Sequence, residues 1–375
     1  MIVLVPKKKR DNRLLVEAGI VIAIALILIL LLPWVLTDFR LSLLGRFLAL
    51  SIAALGIDLI WGYTGLLSMG HGVFFALGGY LLAMYLKLQI PQDAANRLPE
   101  FMNLYGVTEL PDFWQPFHDF NFTILAILFI PTIIGGLLGY LVFRNRIRGV
   151  YFSILTQAAT VVFFNFFNGQ QKLFNGTNGL TDFKTILGAD ISTYQFTFYI
   201  LTIIALVIAY ALCRWLTSGR FGNLLVAIRD DENRLRFSGY NPTGFKVVVF
   251  AVSAALAAIG GAFYTIQTGR VSPQLMDIGF SIEMVIWVAA GGRGTLVGAI
   301  LGTLLVNFAK SLLSEQFPEV WLFFQGALFL IVVTVLPDGV VGLRKLFQRR
   351  QQPISTYPNI DLDPEVQSEQ EHPSN

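Results

Sequence analysis

The chain has 375 residues, 55% hydrophobic and 14% charged, with a formal net charge of +3. A soluble domain carries roughly 25% charged residues, so this composition excludes an ordinary soluble enzyme, and the mild positive charge follows from topology, not from nucleic acid. The single cysteine, Cys213, excludes a disulfide scaffold or a cysteine metal cluster; within LVIAYALCRW it is a small apolar filler.

The first apolar tract, AGIVIAIALILILLLPWVL at 18–36, contains no charge. About 20 apolar residues cross a hydrocarbon core. A secretory signal has a shorter apolar region, about 7–15 residues, and a small-residue cleavage site. This tract is longer and ends PWVLTDF, so it is a retained anchor. Ten crossings follow from the apolar tracts, near 17–36, 41–60, 66–86, 121–143, 150–168, 195–216, 246–267, 279–292, 295–314 and 320–337. Basic residues mark the cytoplasmic side. Lys7, Lys8, Lys9, Arg10 and Arg13 put the N-terminus inside. Arg144, Arg146 and Arg148, then Arg214 to Lys246, then Arg344, Lys345, Arg349 and Arg350 all fall inside if there are ten spans. The expected fold is therefore an all-α polytopic membrane protein with both termini cytoplasmic. Residues 1–16 form a basic arm, 17–343 a transmembrane domain and 344–375 a polar, acidic, disordered tail.

Between the second and third spans stands WGYTGLLSMGHG, 61–72, with four glycines and His71. The topology puts it near the cytoplasmic turn, where glycines let the backbone bend or pack beside a route for solute. Non-helical backbone at membrane depth survives only when buried in protein or lining a wet cavity. His71 has no second ligand near it in sequence, so it reads as a hydrogen-bonding or packing residue. Asp58, one turn earlier, is an ionisable group inside a span, which points to function by default and equally to an interfacial role.

Residues 88–120 are Pro-rich, aromatic and net acidic, and read as a small external cap; His118 there is a surface histidine. Gly135 and Gly139, like Gly298 and Gly302, make GxxxG, a helix-packing signal. In the fifth span Ser153, Gln157, Thr160 and Asn168 share one helical face, bordered by Thr156 and Asn165. An uncharged hydrogen-bonding stripe suits a neutral polar solute; helix–helix glue explains it equally. In 169–194, NGTNG reads as tight turns.

The cytoplasmic loop 217–246 contains a short amphipathic helix with Leu224, Ile228 and Leu235 on one face. Asp230, Asp231 and Glu232 interrupt its basic run, which favours a protein partner over a lipid surface. Gly239 and Asn241-Pro242 stop it. WVAAGGRGTLVG, 287–298, is a second tryptophan-led glycine bend following an acid, Glu283. Its glycine spacing is one residue too long for a dinucleotide fingerprint, and the chain has no phosphate-binding loop and no metalloprotease or serine-hydrolase motif. Neither a cofactor nor catalysis is expected in this chain.

Together WGYTGLLSMGHGVFFALGGY, SGRFGNLLVAIRDDENRLRFSGY, SIEMVIWVAAGGRGTLVGAILG and PDGVVGL resemble the permeases of the branched-chain amino-acid ABC importer family, over residues 41–343. GVYFSILTQAAT, NGTNGLTDF, AIRDDENRLRFSGYNP and IEMVIWVAAGGRGTL are similar to the second permease of its urea-importing branch. The resemblance implies a subunit of a bacterial inner-membrane importer. Its partners would be a related permease, two cytoplasmic ATPases that bind the ATP, an external solute-binding protein and the lipid bilayer, with no nucleic acid. It makes Ala227, Ile228, Arg229, Asp230, Glu232 and Gly239 the surface that docks the ATPase. The candidate substrate path comprises Ser153, Thr156, Gln157, Thr160, His71 and Glu283. A branched-chain amino-acid cargo and a stand-alone passive channel remain alternatives.

Overall fold

The structure, a computed structural model, describes residues 7–89, 98–191 and 193–317 together with isolated positions between 323 and 342. Most of the tenth predicted crossing, the tail 344–375, the first six residues of the basic arm and residues 90–97 of the external segment lie outside the described residues.

The chain is mostly helical. The long apolar tracts leave every backbone group to be satisfied within its own segment, and in hydrocarbon only the helix does this. The principal helices are α1 (Lys7–Leu30, with a short continuation Leu32–Val35), α2 (Asp38–Thr64), α3 (His71–Lys87), α4 (Phe120–Arg144) and α5 (Val150–Gly169). They continue with α6 (Gln195–Ser218), α7 (Arg220–Phe237), α8 (Pro242–Thr268), α9 (Ile278–Gly291) and α10 (Leu296–Gln316). Six of them, α2, α4, α5, α6, α8 and α10, are long and apolar enough to cross a membrane. The third expected span is corrected: its helix begins at His71, not residue 66, and Gly65–Gly70 are non-helical.

Helix α8 is the hub, packed against α2, α3 and α4. Small residues permit the approach. Gly260 lies against the Ala49 carbonyl of α2, and Gly78 of α3 lies against the Ala258 backbone. Gly135 and Gly139 of α4 meet Ala254 and Phe250 of the same helix, which is the packing role their spacing predicts. The outward faces of α4 and α5 stay apolar, with Leu125, Phe129, Ile133, Tyr151, Ile154 and Val162 exposed. Helix α1 is tied to α6 by Glu17–Arg214 at 2.6 Å and by the Tyr199 hydroxyl on the Leu28 carbonyl.

Between α3 and α4 a single turn (Glu100–Leu104) and a 3-10 helix (Asp112–His118) bury Phe101, Met102, Trp114 and Phe117 in an aromatic cluster with Tyr80, Phe167 and Phe174. His118 is exposed. Leu180–Thr181 pairs antiparallel with Arg270–Val271, joining the segment after α5 to the exit of α8.

Candidate functional site at two glycine bends

Gly65 ends α2 in the left-handed conformation, φ 74°, its N–H on the Trp61 carbonyl. Glycine adopts this without a Cβ clash. The chain then runs non-helically to Gly70, and the buried backbone groups of that stretch need partners. Helix α5 supplies them. The Ser153 hydroxyl donates to the Leu67 carbonyl at 2.7 Å, and Thr156 Oγ1 accepts from the Met69 N–H at 3.0 Å. Thr160 Oγ1 sits 3.4 Å from the Met69 carbonyl. Three members of the polar stripe thus hold the broken segment. Gln157 is half-buried beside them, Asn165 is exposed, and Asn168 Oδ1 is buried with no partner among the described residues.

The first residue of α3, His71, is fully buried. Its Nε2 lies 2.5 Å from Ser253 Oγ, and Ser253 Oγ donates at 2.6 Å to the Gly56 carbonyl. A hydroxyl has one proton. Since Gly56 takes it, the histidine must donate through Nε2; its Nδ1 is buried without a partner among the described residues. Ser253 lies about 16 Å along α8 from Pro242, at 1.5 Å per residue. The segment therefore climbs well into the bundle before α3 starts, instead of staying at the turn. There Gly72 N–H donates to Ser281 Oγ of α9 at 3.2 Å. Ser68 and Gly70 also edge a cleft of about 450 Å³ between α4 and α5, which Thr156 and Asn145 line too and whose remaining wall is apolar, with Val73, Phe74, Phe152 and Phe250.

The second bend, Gly292–Thr295, has φ 117° at Gly292 and 75° at Gly294. The buried Asp58 carboxylate accepts from the Gly294 N–H at 2.6 Å. Gly62 abuts the Gly294 backbone so closely that a Cβ would not fit, and the Arg293 guanidinium lies over the Trp61 ring at 5.9 Å. The two tryptophan-led bends are thus one joint. Arg229 of α7 reaches it, donating from Nη1 to the Gly62 carbonyl at 2.9 Å.

Helix α7 departs from the continuous amphipathic helix expected over 224–236. Asp231 is non-helical (φ −158°, ψ 96°), and its carboxylate accepts from the N–H groups of Asn233 and Arg234 at 3.0 and 3.2 Å. That is an N-cap, so the helix is two arms meeting at a kink. The first buries Leu225 and Ile228, with Leu224 and Ala227 half-buried. The second buries Glu232 and Leu235. Glu232 accepts from Arg236 at 2.8 Å and from the fully buried Lys246 at 3.2 Å, with Arg148 at 3.4 Å. Burial raises its carboxyl pKa, but these three cations outweigh burial and hold it below the ordinary carboxylate range. Glu232 is therefore an internal anchor. The outward surface is made by Arg229, Asp230, Gly239, and two aromatics the sequence did not single out, Phe237 (91% exposed) and Tyr240.

Glu283, on α9, is bound through both oxygens to Lys310 of α10 at 2.7 and 2.8 Å. Lys310 was legible as a lone lysine inside an apolar tract, whereas Lys246 stands at the edge of its tract among the basic residues of the 217–246 loop. Among the described residues no three His, Cys, Asp or Glu side chains come together to hold a metal ion.

A family profile described as branched-chain amino acid transport system / permease component matches residues 39–333. The chain is 24% identical over 319 residues to the high-affinity branched-chain amino acid transport system permease protein LivM of Salmonella typhimurium, covering 78% of this chain and 68% of the relative. It is 25% identical over 308 residues to LivH of the same organism, covering 78% and 91%. A ribose import permease protein, RbsC of Haemophilus influenzae, matches at 22% over 228 residues, 59% of this chain and 69% of the relative. No solved structure matches.

Proposed function

The chain belongs to the branched-chain amino acid transport permease family, an integral multi-pass membrane family, and from that premise we propose that it is one transmembrane subunit of an ATP-driven importer in a bacterial inner membrane. It crosses ten times with both termini in the cytoplasm. Its partners are a second permease, two ATPases that bind and hydrolyse the ATP, and an external solute-binding protein. The observation that carries this reading is the contact of Arg229 with Gly62. A helix on the surface of the bundle, broken in the middle, touches the joint of two bends inside it. A push on α7 by a cytoplasmic ATPase reaches the solute route through that joint.

The cargo we propose is urea and short amides, on the strength of GVYFSILTQAAT, NGTNGLTDF and AIRDDENRLRFSGYNP. The α5 hydroxyls no longer add to it, since they hold the bend. A second reading, a branched-chain amino acid, draws support from the names of the relatives and from the apolar wall of the α4–α5 cleft, which suits an aliphatic side chain. Competition by urea, acetamide and leucine for labelled uptake in cells producing the whole importer separates the two. Displacement by leucine alone defeats the urea reading. Movement of solute by the purified chain in vesicles without an ATPase defeats the importer reading.

A further inference from the structure

The α5 hydroxyls are engaged by the bend, and a second polar face lies elsewhere in the bundle. Helix α10 carries a second stripe. Thr303, Asn307, Lys310 and Ser314 recur at helical spacing on one face, while Val297, Leu301, Leu305, Phe308 and Leu312 form an exposed apolar face on the other side. Thr303, Asn307 and Ser314 each donate to a carbonyl of their own helix, so Lys310 is the group this face presents across the seam; the face is sealed at Thr303 and Asn307 and half-open at Lys310 and Ser314. Opposite it stands Glu283 of α9, 8% exposed, with both oxygens on the Lys310 ammonium. One turn along α9 is Trp287, fully buried, whose indole N–H has no partner among the described residues.

The other end of the seam is shut. Gly291 of α9 lies against Gly298 and Gly302 of α10 with no room for a Cβ at any of the three. Directly beyond is the bend held by Asp58 and touched through Gly62 by Arg229. A lone ion pair between two spans is poor helix glue, because apolar side chains of similar size commonly hold as well. Ionisable residues inside spans instead mark solute pathways.

We propose that the α9–α10 seam is the solute lane of this chain. Glu283 and Lys310 are its contact residues for a small uncharged solute with both donors and acceptors, of the amide or urea type. The carboxylate accepts from the amide N–H groups. The ammonium donates to the carbonyl oxygen. The Gly291–Gly302 crossing closes the lane on the side nearer the bends. This rests on the importer reading above and adds where the solute sits.

The test uses cells producing the full-length chain with its transport partners. A double variant, Glu283→Ala with Lys310→Ala, removes the pair without stranding a charge. The KM for labelled urea uptake is expected to rise roughly tenfold, the effect of leaving solute groups unpaired in a buried site, at unchanged membrane abundance. Unchanged uptake kinetics overturn the lane. Should that variant fail to reach the membrane, Ser314→Cys decides. The native Cys213 is buried, so an impermeant thiol reagent reads the introduced thiol. Saturating urea slows its labelling if the lane is right, and equal rates with and without urea overturn it. Wild-type cells that take up none of urea, acetamide or leucine in an ATP-dependent way overturn the importer reading, and the lane with it; that result is visible before any variant is made.

Discussion

The Arg229 guanidinium donates to the Gly62 carbonyl at 2.9 Å across 167 residues of sequence. Gly62 in turn abuts Gly294, whose N–H is held by Asp58. One side chain of the kinked α7 therefore bears on both places where the membrane helices break. The second arm of α7 is anchored separately, through Glu232, to Arg148 at the α4–α5 turn and to Lys246 of α8. Asp231 is thus the break between two separately attached arms.

Arg229→Met should uncouple the importer. The Met side chain keeps the packing on Gly65, where the Arg229 stem lies, but loses the charged donor to Gly62, a bond worth about 1.5–3 kcal/mol. ATP hydrolysis by the assembled complex should persist while labelled uptake falls by about tenfold or more, on the same scale. Uptake at the wild-type rate would remove Arg229 from the coupling route.

Thr156→Val tests the hold of α5 on the broken segment. It is nearly isosteric and deletes the acceptor of the Met69 N–H. An unsatisfied buried N–H costs about 1–3 kcal/mol, so thermal unfolding in detergent should come earlier. Asn165→Ala, on the exposed face of the same helix, should leave the transition where it was. Equal behaviour of the two variants would mean that the stripe does not support the bend.

The helices of this fold were readable from apolar tract length, and the packing glycines from their spacing. The hydroxyls of α5 were visible as a stripe, but periodicity gives a face, not its neighbour. Only the fold shows that Ser153, Thr156 and Thr160 meet backbone. The likeness of the two tryptophan-led bends was also visible; that they touch was not, because Asp58 and Gly294 are 236 residues apart. The kink in α7 escaped because Asp231 reads equally well as one of the three acids that interrupt the basic run. An Asp two and three residues ahead of the amides it caps is an N-cap pattern, and that was the signal to follow.

Glu232 gives a pH dependence with a definite sign. Its folded-state carboxyl pKa is held below the ordinary value by Arg236, Lys246 and Arg148 against the effect of burial. A depressed carboxylate adds stability that is fully present above the unfolded pKa, about 4.3, and is lost as the pH falls through the folded value. Wild-type chain in detergent should lose thermal stability in that acid window. Glu232→Gln should be less stable at pH 7 by about 3 kcal/mol, since it leaves the sealed Lys246 without its counter-charge, and should show a shallower acid-side decline. A variant as stable as wild type at pH 7 would mean that the anchor does not hold the second arm of α7.

Two glycine-to-alanine substitutions in helices should act with opposite signs. Gly62 lies within α2, where the helical backbone itself would accept alanine, but a Cβ there collides with the Gly294 backbone and with Asp58. Neither neighbour yields easily: Gly294 is fixed by its bond to Asp58, and Asp58 is buried. Overpacking of this kind costs about 1–3 kcal/mol, and it pries apart the joint on which Arg229 bears, so both stability and uptake should fall for Gly62→Ala. Gly244, in the first turn of α8, has open space around its Cβ position, and alanine there should stabilise by up to about 1 kcal/mol from helix propensity alone. Paired thermal unfolding and uptake measurements on the two variants check both signs. If Gly62→Ala retained wild-type uptake, contact between the two bends would not be required for transport.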